Sequence, residues 1–214
     1  MGRFMSPPVA SGDMTPVVIL ALSLLVVVAL AVVIGVVVLA LGARVSETLD
    51  DVFGRVLAAA ATDGLRIAWL VAIVATAGSL YMSEVAHFVP CTLCWYQRIA
   101  MYPLVLVLGV GALRNDPAVV RYAMPLAIVG APISLYHYVI ELFPNLAGAV
   151  ACDPDNPCTL VWFRELGFVT LPLMAFAAFT LIWTLLALTA AGRAAATEPT
   201  NATPSVPATN EVRP

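Results

Sequence analysis

The chain has 214 residues, 62% of them hydrophobic and only 11% charged, whereas a soluble domain averages about 25% charged residues. With a mean hydropathy of +0.98, most of the chain has lipid as its solvent. The net charge of -3 offers no basic patch of the kind nucleic acid needs, so a nucleic-acid partner is excluded.

A bilayer core takes about 20 apolar residues per helix. Five stretches qualify, and each is expected to be helical, because lipid offers no partner to an unpaired backbone group. The first, Val17 to Leu41, carries no charge. The apolar part of a secretion signal runs only about 7–15 residues behind a positive segment, while here Asp13 precedes a longer run. Residues 17–43 are therefore expected to be a retained transmembrane helix, with 1–16 as a short leading segment. Residues 44–64 mix Glu47, Asp50, Asp51 and Arg55 with Val45, Leu49, Val52 and Val56 at helical spacing. That pattern fits either a helix lying on the inner membrane surface or a solvated connector.

The second stretch is Ile67 to Ser83, which Leu65 can extend. The third is Ile99 to Leu113, longer if its helix starts back at Cys94. The fourth is Tyr122 to Ile140, and the fifth is Phe168 to Ala191. Pro103, Pro125, Pro132 and Pro172 are expected to kink helices and open a cleft for a flat ligand, or else to serve packing. Residues 192–214 turn to Ala, Thr and Pro, a composition expected to be disordered.

Arginine in short loops marks the cytoplasmic side. Arg44, Arg55, Arg66, Arg114, Arg121 and Arg193 all fall on one face if the N-terminus is outside and the C-terminus inside. Arg3 and Arg164 fall on the other. This orientation places all four cysteines on the outer side, where disulfides persist.

The cysteines come as Cys91-x-x-Cys94 and as Cys152 and Cys158 around Asp153-Pro154-Asp155-Asn156-Pro157. Pro90 stiffens the chain before the first pair, and the pair sits where the third helix begins. Thiol pKa values fall in C-x-x-C motifs, at helix N-termini and beside Arg, and Arg98 lies one helical turn beyond Cys94. Thiol redox chemistry is one reading. Zinc binding and plain structural disulfides are the others, although the gap between Cys152 and Cys158 is wide for a zinc knuckle and a C-x-x-C loop is a weak staple. Arg98 is either a snorkelling anchor or a partner for a thiolate. His137, near the outer end of the fourth helix with Glu141 one turn on, is either an interfacial polar contact or a site residue. His87 is a weaker candidate. Trp95, Tyr96, Tyr136, Tyr138 and Trp162 suit an interfacial aromatic belt.

The run Cys91-Thr92-Leu93-Cys94-Trp95-Tyr96-Gln97-Arg98, continued by Ile99-Ala100-Met101-Tyr102-Pro103-Leu104, resembles the disulfide bond formation protein B family (DsbB and its relative BdbC). So do Ile133-Ser134-Leu135-Tyr136-His137-Tyr138, and Cys152 to Cys158 followed by Gly167-Phe168-Val169-Thr170-Leu171-Pro172. The three motifs occur in the right order and span about Leu65 to Ala191. The resemblance implies a four-helix transmembrane bundle over residues 65–191; with the apolar run over 17–43, the expected fold is an all-α integral membrane protein with one extra N-terminal transmembrane helix, which departs from the family pattern. The resemblance also implies a bacterial cell-membrane enzyme that re-oxidises an extracytoplasmic DsbA-like thioredoxin-fold oxidase and passes the electrons to a quinone, menaquinone or ubiquinone. Carried over residue by residue, Cys152 would form the mixed disulfide with that oxidase. Cys158 would be its pair and would exchange with Cys91. Cys94 would face the quinone, with Arg98 near the quinone oxygen and His137 lining the same pocket. The residues outside 65–191 depart from the family pattern.

Overall fold

A computed structural model describes residues 14–147, 152 and 156–197. Five long helices carry the fold, and among the described residues there is no β-strand, only an isolated bridge between Glu165 and Val169. All five are long and apolar enough to cross a membrane. The ends of the chain, 1–13 and 198–214, lie outside the described residues, so most of the leading segment and most of the expected tail do too.

Helix α1 (Thr15–Gly42) starts with Pro16 in its first turn, where the missing N–H has no helical partner to lose. Helix α2 (Glu47–Leu80) follows Ser46, whose backbone is extended, and opens with Glu47 and Asp50 beside the positive end of the helix dipole. A π-helical turn, Tyr81–Val85, closes it. This corrects the reading of 44–64 as a surface helix or a solvated connector: from Glu47 onward that segment is the first half of α2. Four consecutive alanines, Ala58 to Ala61, are strong helix formers and give the helix no place to break.

Helix α3 (Thr92–Arg114) ends at Asn115, which takes the left-handed conformation with φ 53°. A single 3-10 turn, Pro117–Val119, leads into α4 (Val120–Leu142). Helix α5 (Leu171–Thr197) begins later than its apolar run. Phe168 lies instead in a tight turn closed by paired backbone bonds between Glu165 and Val169, with Leu166 at φ 52° and Gly167 at φ 81°. Pro172 is the second residue of α5, so it starts that helix rather than kinking it. Helix α5 also runs past Ala191 to Thr197, so residues 192–197, expected as part of a disordered tail, are helical.

Helices α2 to α5 form an antiparallel bundle in which α5 packs on α2 and α4, and α3 closes the ring between them; α1 lies outside against α2 and α5. The core is built from Leu65, Leu104, Leu108, Phe179, Ile182 and Leu186 with small residues such as Ala68, Ala123 and Ala127 between them. Lipid gives helices little hydrophobic reason to associate, so close approach through small residues must supply the contact. At Gly130 a Cβ would overlap the Phe179 ring, and at Gly192 it would overlap the Leu57 carbonyl oxygen. Near Gly192, the Thr189 hydroxyl donates to the Ala60 carbonyl at 3.1 Å and Arg193 Nε donates to the Ala61 carbonyl at 3.0 Å. Apolar side chains such as Ile99, Leu106 and Leu113 point outward, at 66%, 74% and 75% exposure, which suits lipid and not water.

The antiparallel order gathers the start of α1, the end of α2, the start of α3, the end of α4 and the start of α5 at one end. Thr15 meets the Tyr81 hydroxyl there at 3.4 Å, and Phe88 stacks on Trp162 with ring centres 4.9 Å apart. All the described cysteines lie at that end, while Arg44, Arg114, Arg121 and Arg193 lie at the other.

Candidate functional site

Pro90 delivers Cys91 in an extended conformation at the N-cap of α3, where its sulfur accepts the Cys94 backbone N–H at 3.4 Å. The side chain thus caps the helix as Ser or Asp would elsewhere. One turn of helix brings the Cys94 sulfur to 3.2 Å from Cys91, both as free thiols. Cys152 and Cys158 are joined as a disulfide with their Cα atoms 5.9 Å apart. The four cysteines share one apolar cluster with Leu93, Ile133, Tyr136 and Ile140. Within it Cys158 and Cys91 are 2% and 7% exposed, whereas Cys94 and Cys152 are only half-buried.

His137, 3% exposed, ties the two pairs together. Its Nδ1 lies 2.9 Å from the Gln97 amide nitrogen, and its Nε2 lies 3.0 Å from the Cys158 carbonyl and 3.7 Å from the Cys91 sulfur. With the Gln97 amide donating to Nδ1, the ring proton sits on Nε2 and points at the carbonyl and at Cys91. The Asn156 amide donates to the Val89 carbonyl at 3.4 Å, a second tie between the cysteine loops. The Cys91 thiol is held below its usual range, first by the hydrogen bond from Cys94 and then by His137, against the opposing effect of burial. Glu141, one turn beyond His137, is 8% exposed, and its Oε2 has no partner among the described residues. It lines a small cleft with Cys91, Cys94, His137 and Trp162.

Arg98 points the other way. Its Nε and Nη2 donate to the Ser79 hydroxyl at 3.1 Å and the Ser79 carbonyl at 3.0 Å, and its guanidinium lies 5.4 Å from the centre of the Trp95 ring. No carboxylate pairs with it among the described residues, whose one salt bridge joins Arg66 to Asp63. The Tyr102 and Ser79 hydroxyls are 3.3 Å apart. Arg98, Cys94, Gln97, Ser79 and Tyr102 form the polar end of a cavity of about 370 Å³, otherwise walled by apolar residues of α1, α2 and α5 and of the loops at the cysteine end, with Met101 of α3. That volume lies within the range of small-molecule sites, about 300–1,000 Å³. Of the four cysteines only Cys94 lines it.

All six residues expected at the site, Cys91, Cys94, Cys152, Cys158, Arg98 and His137, meet at this end of the bundle. Ser79 and Gln97 were not singled out by the sequence. Gln97 stands inside the Cys-Trp-Tyr-Gln-Arg run, and a glutamine one turn past the first cysteine is the signal that was there to read. Ser79 carried none. His87, at φ 56°, lines neither cavity nor cleft. Pro103, Pro125 and Pro132 are inside helices but line no part of the cavity. The ligand atoms of Cys91, Cys94 and His137 lie within 4.8 Å of one another, close enough to hold a metal ion.

Two cysteine pairs, one bonded and one free, joined through a buried histidine at the end of a transmembrane bundle, define a membrane thiol–disulfide protein. The family model for disulfide bond formation protein DsbB matches residues 62–160. Disulfide bond formation protein C of Bacillus subtilis is 47% identical over 118 residues, 55% of this chain and 86% of that protein. The probable disulfide formation protein C of Halalkalibacterium halodurans is 48% identical over 115 residues, 54% of this chain and 84% of that protein. A probable disulfide formation protein of Coxiella burnetii is 44% identical over 115 residues, covering 53% and 78%. No solved structure gives a significant match. The chain belongs to the DsbB family of disulfide bond formation proteins. It is accordingly a multi-pass membrane protein of disulfide formation, with a disulfide oxidoreductase activity and a thiol–disulfide partner.

Proposed function

We propose that the protein draws electrons from a reduced extracytoplasmic DsbA-like thioredoxin-fold oxidase and passes them to a membrane quinone, menaquinone or ubiquinone. The observation that carries this reading is that Cys94, alone of the four cysteines, opens on an apolar cavity whose polar end holds an arginine with no carboxylate partner among the described residues. A thiolate beside an uncompensated guanidinium at the end of an apolar slot suits an acceptor with a polar ring and a greasy tail. A quinone bound there would supply the sink for two electrons and two protons.

The chain's own steps follow from burial and order. A partner thiolate attacks Cys152, the more exposed sulfur of its disulfide, and Cys158 leaves as a thiolate. The partner's second thiol resolves the mixed disulfide, so the partner leaves oxidised. Cys158 attacks Cys91 of an oxidised Cys91–Cys94 pair, and Cys94 leaves as a thiolate. Cys152 then resolves on Cys158 and releases Cys91. Two electrons and two protons now rest on the inner pair. The His137 ring N–H faces Cys91, and the Arg98 guanidinium lies along the same cavity wall as Cys94, so Cys91 has a hydrogen-bond donor and Cys94 a positive group nearby when each carries charge. In a site with little water such groups act more strongly than in solution.

The arginine distribution supports an orientation with the N-terminus outside, the C-terminus inside and the cysteine end outside, in the bacterial cell membrane. The test is purified protein in lipid with a reduced thioredoxin-fold partner and a quinone, following quinone absorbance and partner thiols together. Quinone reduction that requires the partner, and that each Cys→Ser variant stops, supports the relay. The cluster of Cys91, Cys94 and His137 favours one other reading, a zinc-clamped outer cap. Stoichiometric zinc in the purified protein, with quinone untouched, would establish that reading instead.

A further inference from the structure

Helix α1 falls outside the residues matched by the family model, 62–160. It touches α2 near both ends: a Cβ at Gly78 would meet Leu22 at 3.1 Å, and one at Gly42 would overlap Leu49. Between those points, residues of both helices line the cavity. On the α1 side it is lined by Leu22, Leu25, Val26, Val28, Ala29 and Val32, of which Leu22, Val26, Ala29 and Val32 recur at a spacing of three and four residues along one helical stripe. At 1.5 Å per residue, Leu22 to Val32 spans about 15 Å along the bundle. Val26 and Ala29 also pack with Leu173 and Ala177 of α5, which anchors the helix over the cavity. At the outer end, Ile19 packs with Met82 and Phe88, whose ring stacks on Trp162. The result is a long apolar slot, roofed by α1, that continues from the polar end at Cys94 and Arg98.

We propose that α1 forms the wall that holds the isoprenoid tail of the quinone, and so gives this chain a tail-binding subsite built by its extra helix. The inference rests on the quinone reading above. A long apolar slot that runs without a break into the one polar end of the cavity fits a molecule with a ring at one end and a hydrocarbon chain behind it. A phospholipid acyl chain is the competing occupant, and the test separates the two.

The experiment measures binding to the full-length protein in lipid nanodiscs, by quenching of tryptophan fluorescence, for a long-tailed quinone and its tail-less headgroup analogue. In parallel, the long-tailed quinone with a diazirine at the tail end is photolysed on the wild-type protein and the labelled peptides are mapped. The long tail is expected to tighten binding at least tenfold over the analogue, with label on residues 15–42. Ala29→Trp, which fills the slot, is expected to reduce that ratio to about two. Val38→Trp, at a lipid-facing position 64% exposed and away from the cavity, should keep the wild-type ratio. A ratio that Ala29→Trp leaves unchanged, or label confined to α3 and α4, overturns the role of α1. Equal labelling of α1 by a diazirine phospholipid that quinone does not displace also overturns it, because the slot is then a lipid site. If neither quinone binds the wild-type protein, the quinone reading itself falls.

Discussion

The two ends of the α2–α5 pair are built on opposite principles. At the arginine end, Gly192 lies against the Leu57 carbonyl, Gly64 faces Thr189, and Thr189 and Arg193 donate to the Ala60 and Ala61 carbonyls. At the cysteine end, Arg98 has no carboxylate partner among the described residues, Glu141 keeps an unpartnered carboxylate oxygen, two thiols stand free and a cavity of about 370 Å³ opens beside them. One end ties its helix pair with hydrogen bonds and fills its space. The other leaves both undone, which costs stability. The contrast locates chemistry where local packing rules are broken and stability where they are kept.

If that division holds, substitutions at the cysteine end change turnover and leave the melting temperature alone, and those at the arginine end do the reverse. The largest effect is expected from Cys94→Ser, which should abolish electron transfer to the acceptor while the thermal midpoint stays at the wild-type value. Full acceptor turnover in that variant would falsify the assignment of Cys94. Arg98→Lys should lower acceptor turnover by about tenfold to a hundredfold, because the planar fork that binds Ser79 at two points is lost. Its partner-binding affinity should not move, and a loss of partner binding instead would place Arg98 on the wrong side of the relay. Gly192→Leu should destabilise the fold by about 1–3 kcal/mol through overpacking, read as a lower thermal midpoint with activity intact below it.

The pH response sharpens the same contrast. The Cys91 thiol is held below its usual range by Cys94 and His137, so its ionisation stabilises the reduced folded state. That contribution is fully present above the unfolded thiol value of about 8.5 and is lost as pH falls towards the folded value. In a variant with Cys152 and Cys158 replaced by alanine, thiolate ultraviolet absorbance should therefore persist below that pH. His137→Ala should move its loss to higher pH, and an unmoved titration would remove His137 from the site's electrostatics. The smallest effect is Thr189→Val, where one interhelical bond is worth about 0.6 kcal/mol in lipid. The measurement is again the thermal midpoint, with turnover unchanged.

The helices were legible because lipid imposes a length and forbids unpaired backbone, so an apolar run such as Val17–Leu41 has few alternatives. Helix ends were harder to place. The Ala58–Ala61 run joins a charged segment to the second span, and neither charge nor hydropathy marks a boundary there. Phe168 is apolar, but the left-handed Leu166 and Gly167 hold it in a turn. The cysteine end was legible through its motifs, since Cys91, Cys94, Arg98 and His137 come with recognisable neighbours. Ser79 was not, because its value lies in facing Arg98 from another helix, and an unremarkable serine in an apolar run carries no sign of that. The cavity was hidden for the same reason: residues of α1, α2, α3 and α5 line it together, a tertiary fact with no local pattern.

The unequal burial of the four sulfurs has one more consequence, which concerns leakage. A relay working in an oxidising compartment is surrounded by small thiols and dissolved oxygen, any of which would short-circuit it by trading electrons with an intermediate sulfur. Cys91 and Cys158, the two that exchange with each other in the proposed relay, are 7% and 2% exposed, while contact with the surroundings is left to the half-buried Cys152 and, through the cavity, to Cys94. In that proposed relay, current would enter and leave at the two terminals, and the junction between them would be insulated.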